Sequence, residues 1–287
     1  MASESNIDVI RKKQQALRAT LTAQRRLLVA YSGGVDSAYL LAEATSVLGR
    51  FAVGVIADSP SLPRKALSTA LEVAAGFGAE VRVMHTEELE NPEYTSNPLN
   101  RCYFCKHELF KRLERLARVE SFQAIAYGEN ADDALEFRAG AKAATEFHVI
   151  SPLRAAGLTK LEIRQLSRER GLPTADEPAQ PCLSSRIPHG TPVTREALRM
   201  IEMGEEVLRS RGFKVLRVRY MAGASGIIDA KVQVDPKELE RLYSHSPELE
   251  SEFNKIGFTA MTIDPDGYRV PARNGSLRKA SARPGDR

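Results

Sequence analysis

The sequence predicts an α/β protein built on a doubly wound parallel sheet, with a smaller C-terminal α+β domain. In the first half, short runs rich in Val, Ile and Ala alternate with segments that have the 3.6-residue apolar period of helices. In the second half, the expected order changes to helix, strand, strand, helix, strand. The alternation in the first half is typical of parallel sheets with helices on both faces.

The first half is expected to form five strands, at residues 26–31, 51–57, 80–85, 124–127 and 148–150. Helices are expected between the strands, for example at residues 38–47, 63–77 and 103–117. A further helix is expected at 159–170, because Thr159 and Glu162 have capping-box spacing and Gly171 follows its end.

A loop with five prolines, residues 173–192, separates the two halves and carries the predicted domain boundary. Beyond it we expect a helix at 194–211, strands at 214–220 and 227–234, a helical stretch at 235–256 interrupted near 246–247, and a strand at 258–264. The predicted domains are therefore residues 1–180 and 181–270. Residues 271–287, rich in Arg, Lys, Ser, Gly and Pro, are expected to be a disordered tail.

Composition places the chain among ordinary globular proteins. The 287 residues are 43% hydrophobic and 27% charged, and no run approaches the ~20 apolar residues of a membrane span. The first 24 residues are polar without an apolar secretory segment, so a cytoplasmic protein is expected. A net charge of +4 gives little support for a nucleic-acid partner, and three cysteines argue against a disulfide framework.

The most informative motif follows the first predicted strand. It consists of Ser32, Gly33, Gly34, Val35, Asp36 and Ser37. Paired glycines let backbone N–H groups approach an anion, and the following helix N-terminus favours negative charge. The motif predicts a phosphate cradle, and it lacks the Gly-Lys-Ser/Thr ending of a Walker A loop. The alternative is a tight strand–helix turn with a serine cap.

Two other strand ends carry polar side chains that we expect beside the same ligand. Asp58 and Ser59 follow the second strand and are candidates for ribose or adenine contacts, or for a helix cap. The segment 128–133 follows the fourth strand, and its Gly128 and Asn130 are candidates for nucleotide binding. Its carboxylate Asp132, together with Asp36, suits Mg²⁺ shared with phosphates. The alternative is an acidic turn that caps the next helix.

The cysteines form a second candidate site. Cys102 and Cys105 are three apart at a predicted helix start, so they share one face. The helix N-terminus, Arg101 and Lys106 would favour thiolates there. Cys182 lies in the interdomain loop, which could fold back over the nucleotide. Three thiolates can hold a 4Fe-4S cluster with one open iron, whereas zinc normally has four ligands. The alternative is three unrelated thiols.

Arg217 and Arg219 are two apart on a predicted strand and share one of its faces. Two guanidiniums on one face can hold a phosphate or a carboxylate. The alternative is a solvated face or a subunit contact, and Glu205 on the preceding helix is a possible acidic partner.

With these motifs, the sequence resembles the LarE family of ATP-dependent sulfur transferases, within the PP-loop ATP pyrophosphatases of adenine nucleotide alpha-hydrolase-like fold. The matching segments are 31–37, 57–64, 100–106, 128–133, 181–191 and 215–220. The resemblance implies an enzyme that uses ATP and Mg²⁺ to adenylylate a carboxylate of pyridinium biscarboxylic acid mononucleotide. Sulfur then replaces AMP to give a thiocarboxylate, a step toward the nickel-pincer nucleotide cofactor of lactate racemase.

The resemblance also implies roles for individual residues. Lys106 and Arg186 would contact the activated carboxylate or its phosphate, and Arg217 and Arg219 would hold the substrate phosphate. The three-cysteine pattern is similar to that of cluster-dependent tRNA thiolases, which favours a 4Fe-4S cluster over sacrifice of one cysteine. The family places an acidic residue near Gln233, so the resemblance does not imply an acidic cation site there in this chain, and the family's members imply a homo-oligomer.

Three other functions stay open at this point. A tRNA thiolase would bring a strongly basic face or an RNA-binding module. An amide-forming PP-loop synthetase would need an ammonia source. A nucleotide sensor would keep the cradle without turnover.

Overall fold

The computed structural model describes residues 2–135, 139–178, 181–223 and 226–268, so the predicted tail at 271–287 lies outside it. The helices in the first part are α1 Ala2–Thr22, α2 Val35–Leu48, α3 Arg64–Gly76, α4 Pro92–Thr95, α5 Arg101–Val119, α6 Ala139–Glu146, α7 Pro152–Ala155 and α8 Lys160–Glu169. The strands there are β1 Leu27–Ala30, β2 Ala52–Asp58, β3 Glu80–His85 and β4 Ala124–Tyr127. None of the described helices is long and apolar enough to span a membrane.

The four strands form one parallel sheet in the order β3-β2-β1-β4. Successive side chains of a strand point to opposite faces. Leu27 and Val29 of β1 accordingly join one core with α1, α2 and α8, whereas Leu28 joins another with Phe110 and Leu113 of α5. Helices therefore cover both faces, and the prediction of a mixed α/β protein with a helix-flanked parallel sheet is confirmed.

The structure differs from the sequence prediction at two elements. Residues 148–150 do not form a fifth strand, because only Ile150 bridges to Ala126. His148 has a φ of 52°, in the left-handed region, which interrupts the extended backbone that a strand needs. The long helix α1 was not predicted, and it packs onto the first core through Ile10, Leu17 and Leu21.

The second part contains a three-stranded sheet in the order β5-β6-β7. Its elements are α9 Arg195–Ser210, β5 Leu216–Ala222, β6 Ile228–Val234, α10 Leu239–Ser244, α11 Ser246–Ile256 and β7 Ala260–Ile263. β5 pairs antiparallel with β6, and β6 pairs parallel with β7. The predicted order of elements is confirmed, including the interruption before α11.

The two sheets are joined by direct contacts. The backbone N–H of Arg64, at the start of α3, donates to the carboxylate of Glu202 on α9 at 2.5 Å. Tyr94 of α4 and Leu183 of the proline-rich loop lie in the apolar core of the second sheet. The limits of the two domains stay a prediction.

Candidate functional site

The cradle lies between β1 and α2, at the carboxyl edge of the parallel sheet. The Ser37 hydroxyl donates to the carbonyl of Gly34 at 3.0 Å and accepts from the backbone N–H of Ser32 at 3.1 Å. The Ser32 hydroxyl lies 3.0 Å from that of Ser37. These bonds fix the loop so that the first-turn N–H groups of α2, which have no intrahelical acceptors, remain directed out of its N-terminus.

Two glycines permit this close packing. Gly33 has a φ of +75°, and a Cβ there would lie 2.6 Å from the Cβ of Ala70. A Cβ on Gly128, directly after β4, would lie 2.8 Å from the backbone nitrogen of Ser37. Gly128 therefore lies against the cradle, and both positions require the absence of a side chain.

Asp36 in the first turn of α2 is the carboxylate of the cradle. Its Oδ2 accepts from Nζ of Lys160 at 2.5 Å, and Nδ2 of Asn130 lies 3.4 Å from the same oxygen. Its Oδ1 is buried without a hydrogen-bond partner in the described part of the chain. A buried carboxylate oxygen without a partner is costly. A Mg²⁺ ion would remove that cost because it prefers oxygen ligands, so Asp36 fits the predicted metal role.

Asp132 accepts a hydrogen bond from the start of α8, and its predicted role as a Mg²⁺ ligand stays a prediction. Its side chain is exposed, and its Oδ2 accepts from the backbone N–H of Lys160 at 2.8 Å, which caps the start of α8. The side-chain Oδ1 of Asn130 accepts from the backbone N–H groups of Asp132 and Asp133 at 2.9 and 3.2 Å. The segment 128–133 therefore has the geometry of the capping turn that was the alternative, while Asn130 also reaches Asp36.

Asp58 and Ser59 at the end of β2 have partners within the protein. Asp58 pairs with Arg64 and, at 3.0 Å, with His85, and it does not cap α3. The Ser59 hydroxyl donates to the buried carboxylate of Glu88 and lies 2.7 Å from the Ser61 hydroxyl. The predicted contacts of Asp58 and Ser59 with a nucleotide stay a prediction.

The cysteines come from two distant segments. Cys102, which is exposed, and Cys105, which is partly buried, lie in the first turns of α5. Cys182 precedes a short 3-10 helix, Leu183–Arg186, whose first N–H donates to the carbonyl of Ser61 at 2.8 Å. The interdomain loop therefore lies against the segment that follows β2, beside the cradle-bearing β1.

The electrostatics of Cys105 show that it is the common neighbour of the other two thiols. Burial is the main cause that raises the pKa of the Cys105 thiol, and the charges of Glu88, Cys182 and Cys102 raise it further. Such effects need short separations. Lys106 lowers this pKa, as expected from the sequence, but burial and Glu88 outweigh it. The prediction that this environment favours a thiolate is therefore wrong for Cys105.

The described residues contain no group of three His, Cys, Asp or Glu side chains that could hold a metal ion. Ligands of one zinc ion would all lie about 2.3 Å from it, and therefore in mutual contact. A cluster of several irons holds its thiolates further apart. A cluster held by Cys102, Cys105 and Cys182 therefore stays a prediction.

Arg186 holds the Cys182 loop in place. Its Nη1 donates to the carbonyls of Pro181 and Cys182 at 2.6 and 3.1 Å and to the hydroxyl of Ser185 at 3.0 Å. Its Nε and Nη2 donate to the fully buried carboxylate of Glu205 at 2.8 and 3.4 Å. The guanidinium is thus engaged within the protein on all three nitrogens, and its predicted substrate contact stays a prediction.

Arg217 and Arg219 share the face of β5 opposite its buried side chains, as expected. The Arg217 guanidinium lies 4.1 Å from the ring centroid of Tyr268. Burial is the main cause that lowers the pKa of Arg217, and the charges of Arg186 and Arg219 lower it further. Arg217 therefore has two cationic neighbours, although Tyr268 and Glu205 partly offset them, and a bound anion would stabilise its guanidinium.

Lys106 points toward the carboxyl edge of the first sheet. Its Nζ lies 4.9 Å from the ring centroid of Tyr127, the last residue of β4. A Cβ on Gly140 would lie 2.5 Å from the Lys106 stem, so this glycine makes room for it. The ends of β2, β1 and β4 thus bring the cysteine segment, the cradle and Lys106 to one edge of the sheet.

Sequence reasoning missed two residues of this region. The sequence places Lys160 in a predicted helix and does not mark it as a site residue. Its position directly after the Thr159 cap is the available signal, because a long side chain at a helix start can reach a neighbouring loop. Glu88 lies in a stretch with three further acidic residues, and nothing in the sequence separates it from its exposed neighbours. Only the fold shows that Glu88 is buried beside Ser59 and Cys105.

The structure is that of an α/β protein with a glycine-lined loop between β1 and α2, the predicted phosphate cradle, and with a cysteine-bearing loop against the segment that follows β2. The sequence matches no protein-family model. The uncharacterized protein slr1717 of Synechocystis sp. is 38% identical over 273 residues, which cover 94% of this chain and 100% of that protein. Pyridinium-3,5-bisthiocarboxylic acid mononucleotide synthase of Lactiplantibacillus plantarum is 29% identical over 269 residues, 93% of this chain and 96% of the synthase. The chain belongs to the family of these relatives, the LarE-like proteins.

Proposed function

We propose that this chain is an ATP-dependent sulfur transferase that converts a carboxylate of pyridinium biscarboxylic acid mononucleotide into a thiocarboxylate. The nickel-pincer nucleotide cofactor would be the final product of the pathway. The observation that carries the proposal is the common location of the cradle and of three cysteines at one edge of the parallel sheet. The likeness to the Lactiplantibacillus plantarum synthase along nearly the whole chain supports it.

The first step activates the carboxylate. A carboxylate oxygen of the mononucleotide attacks the α-phosphorus of ATP, the bond to the β-phosphate oxygen breaks, and pyrophosphate leaves. The backbone N–H groups at the start of α2 stabilise the charge that develops on the phosphates. Asp36 would hold Mg²⁺ through its unpartnered Oδ1, and the ion would neutralise phosphate charge.

The second step replaces AMP by sulfur. A sulfur nucleophile attacks the acyl carbon, and AMP leaves with the oxygen that the carboxylate contributed. Cys102, Cys105 and Cys182 would hold a 4Fe-4S cluster, which can carry a labile sulfide on its open iron. The partly apolar wall around Cys105 favours transfer of sulfur over hydrolysis, because it keeps water from the acyl carbon.

The second sheet would bind the phosphate of the mononucleotide. Arg217 and Arg219 present two guanidiniums on one strand face, and burial together with the charges of Arg186 and Arg219 lowers the pKa of Arg217 more than Tyr268 and Glu205 raise it. A phosphate dianion fits this arrangement because it accepts bidentate bonds from guanidinium.

The experiment is product analysis with anaerobically prepared protein, Mg²⁺, ATP and the mononucleotide. We expect AMP and pyrophosphate in equal amounts, and mass spectrometry of the mononucleotide should show sulfur in place of one oxygen. Formation of ADP and phosphate, or turnover that requires tRNA or ammonia instead of the mononucleotide, would contradict the proposal.

A pair of aspartate variants ties this chemistry to the cradle. Asp36→Asn should lose most of the pyrophosphate release because the amide is a poor Mg²⁺ ligand. Asp176→Asn is the matched control, since Asp176 is 72% exposed and pairs with Arg168 on the surface. The control should keep wild-type activity. Wild-type activity in both variants would show that Asp36 has only a structural role, through its contacts with Lys160 and Asn130.

A further inference from the structure

We infer that Asn97 is a positioning residue, which holds the Cys182 loop against the start of α5, where Cys102 and Cys105 lie. The inference rests on the proposed sulfur transfer and adds to it a residue outside the three cysteines. Asn97 lies in the segment between α4 and α5, and it is fully buried. Its polar atoms are directed at the stretch of chain that follows Cys182.

Asn97 bonds to this stretch through its side chain and its backbone. Its Nδ2 donates to the carbonyls of Pro188 and Thr191 at 2.8 and 2.9 Å. Its backbone carbonyl accepts from the N–H of Gly190 at 3.0 Å. The two hydrogens of the amide are therefore both used, and one residue fixes a turn that is distant in the sequence.

Arg101 extends this contact to the residues beside the cysteines. Its Nη1 donates to Oδ1 of Asn97 and, at 3.0 Å, to the carbonyl of Ser184. Arg101 directly precedes Cys102, and Ser184 lies two residues after Cys182. Arg101 is buried, so the loss of either acceptor is costly. Asn97 and Arg101 together therefore fix the first turn of α5 relative to the Cys182 loop.

The backbone at Asn97 restricts which side chains can serve there. Its φ of 57° lies in the left-handed region, which asparagine and aspartate tolerate better than most residues. A carboxylate could still accept from Arg101, but it could not donate to the two carbonyls. Glycine would keep the backbone conformation and remove the whole side chain. Substitution by glycine or aspartate therefore tests the amide without straining the backbone.

Two further contacts should keep the segments folded together when the amide is removed. The hydroxyl of Tyr94 lies 2.8 Å from the hydroxyl of Ser184. The backbone N–H of Val193 donates to the carbonyl of Thr95 at 2.8 Å. Loss of the Asn97 amide should therefore loosen the Cys182 loop without detaching it.

The test is cross-linking of the thiols of the full chain, reduced and without added iron, by dibromobimane. Each arm of this short reagent alkylates one thiol. Trypsin leaves Cys102 and Cys105 on one peptide and Cys182 on another. A link within α5 therefore stays in one peptide, and a link to Cys182 joins two peptides, so mass spectrometry separates the two products.

Asn97→Gly should lower the ratio of links to Cys182 over links within α5 about fivefold or more, because the loss of one hydrogen bond shifts an equilibrium about fivefold. The link within α5 is the internal reference, since its spacing is set by the helix. Asn91→Gly is the matched control, because the Asn91 side chain only caps α4 in the same segment. The control should keep the wild-type ratio. Asn97→Asp should show the same fall, and it replaces the glycine variant if that variant unfolds.

The outcomes separate this inference from the proposed function. If the wild type forms the link to Cys182 and Asn97→Gly forms it in the same ratio, Asn97 does not position the loop, and the inference fails while the proposed function stands. A lower melting temperature with an unchanged ratio has the same meaning, because it shows a role in stability alone. If the wild type forms no link to Cys182, the three cysteines do not meet, so the proposed cluster fails and the inference with it.

Discussion

Replacement of Glu205 by glutamine should both destabilise the protein and loosen the Cys182 loop. Glu205 on α9 is fully buried, and its carboxylate accepts from Arg186 at 2.8 Å and from Arg209 at 2.6 Å. Arg186 in turn donates to the carbonyls of Pro181 and Cys182. The negative charge on Glu205 is therefore what keeps this buried guanidinium under the loop.

The magnitude follows from burial. The Arg186 side chain is 7% exposed, and that of Glu205 is 0% exposed. Loss of one partner from a buried ion pair costs about 3–5 kcal/mol. The amide oxygen of glutamine can still accept one hydrogen bond, so we expect the lower end, about 3 kcal/mol. At roughly 2–4 °C per kcal/mol for a large domain, the melting temperature should fall by about 6–12 °C.

Scanning calorimetry with a neighbouring control variant tests this prediction. Glu206→Gln makes the same change one residue further along α9, where the carboxylate is 60% exposed and lies 3.6 Å from Arg209. An exposed pair contributes at most about 1 kcal/mol, so this control should melt close to the wild type. Equal melting temperatures of Glu205→Gln and Glu206→Gln would refute the reasoning. In the assay, Glu205→Gln should lose more sulfur transfer than pyrophosphate release.

The remaining predictions concern the second sheet and the thiols. Arg217→Ala or Arg219→Ala should raise the KM for the mononucleotide at least tenfold, because a lost charged hydrogen bond costs about 1.5–3 kcal/mol. The KM for ATP should stay within about twofold of the wild-type value. Equal effects on both KM values in steady-state kinetics would show that these arginines do not bind the substrate phosphate. Anaerobically prepared protein should contain iron and acid-labile sulfide, and alanine in place of Cys102, Cys105 or Cys182 should remove most of both while pyrophosphate release persists. Dehydroalanine at Cys182 in a single-turnover enzyme would instead show that this cysteine is sacrificed.

The parallel sheet was predictable because its strands are short apolar runs, of which β1, β2 and β4 are largely buried while the edge strand β3 is half-exposed. Residues 80–85 and 124–127 were predicted with the bounds that the structure has for β3 and β4. Helix α1 was not predicted because polar residues dominate its composition. Its few apolar side chains form a core only together with those of α2 and α8, which the sequence alone does not show. The strand expected at 148–150 failed because sequence pattern does not show that His148 adopts a positive φ.

The candidate site was predictable where the chemistry lies within one segment. The cradle from Ser32 to Ser37 is such a case, because the turn and the helix start are consecutive. The raised pKa of the Cys105 thiol was not predictable, since the sequence shows its basic neighbours Arg101 and Lys106 but neither the burial of Cys105 nor the buried Glu88. In the structure the Arg101 guanidinium donates to Asn97 and to the carbonyl of Ser184. Its closeness to Cys105 in the sequence therefore does not lower the pKa of that thiol.

The environment of Arg186 decides which groups can recognise an anionic substrate. Its five hydrogen bonds to protein acceptors use all three guanidinium nitrogens, so a substrate contact would have to break the clamp on the Cys182 loop. Arg219 donates from Nε alone to the neutral amide of Gln233, and Asp264 is already paired with Lys231 at 3.0 Å. A neutral residue at position 233 therefore leaves the Arg219 charge less compensated than an acidic residue would. We therefore expect Arg217 and Arg219 on β5 to recognise the substrate phosphate, and we expect Arg186 to act by holding the Cys182 loop in place.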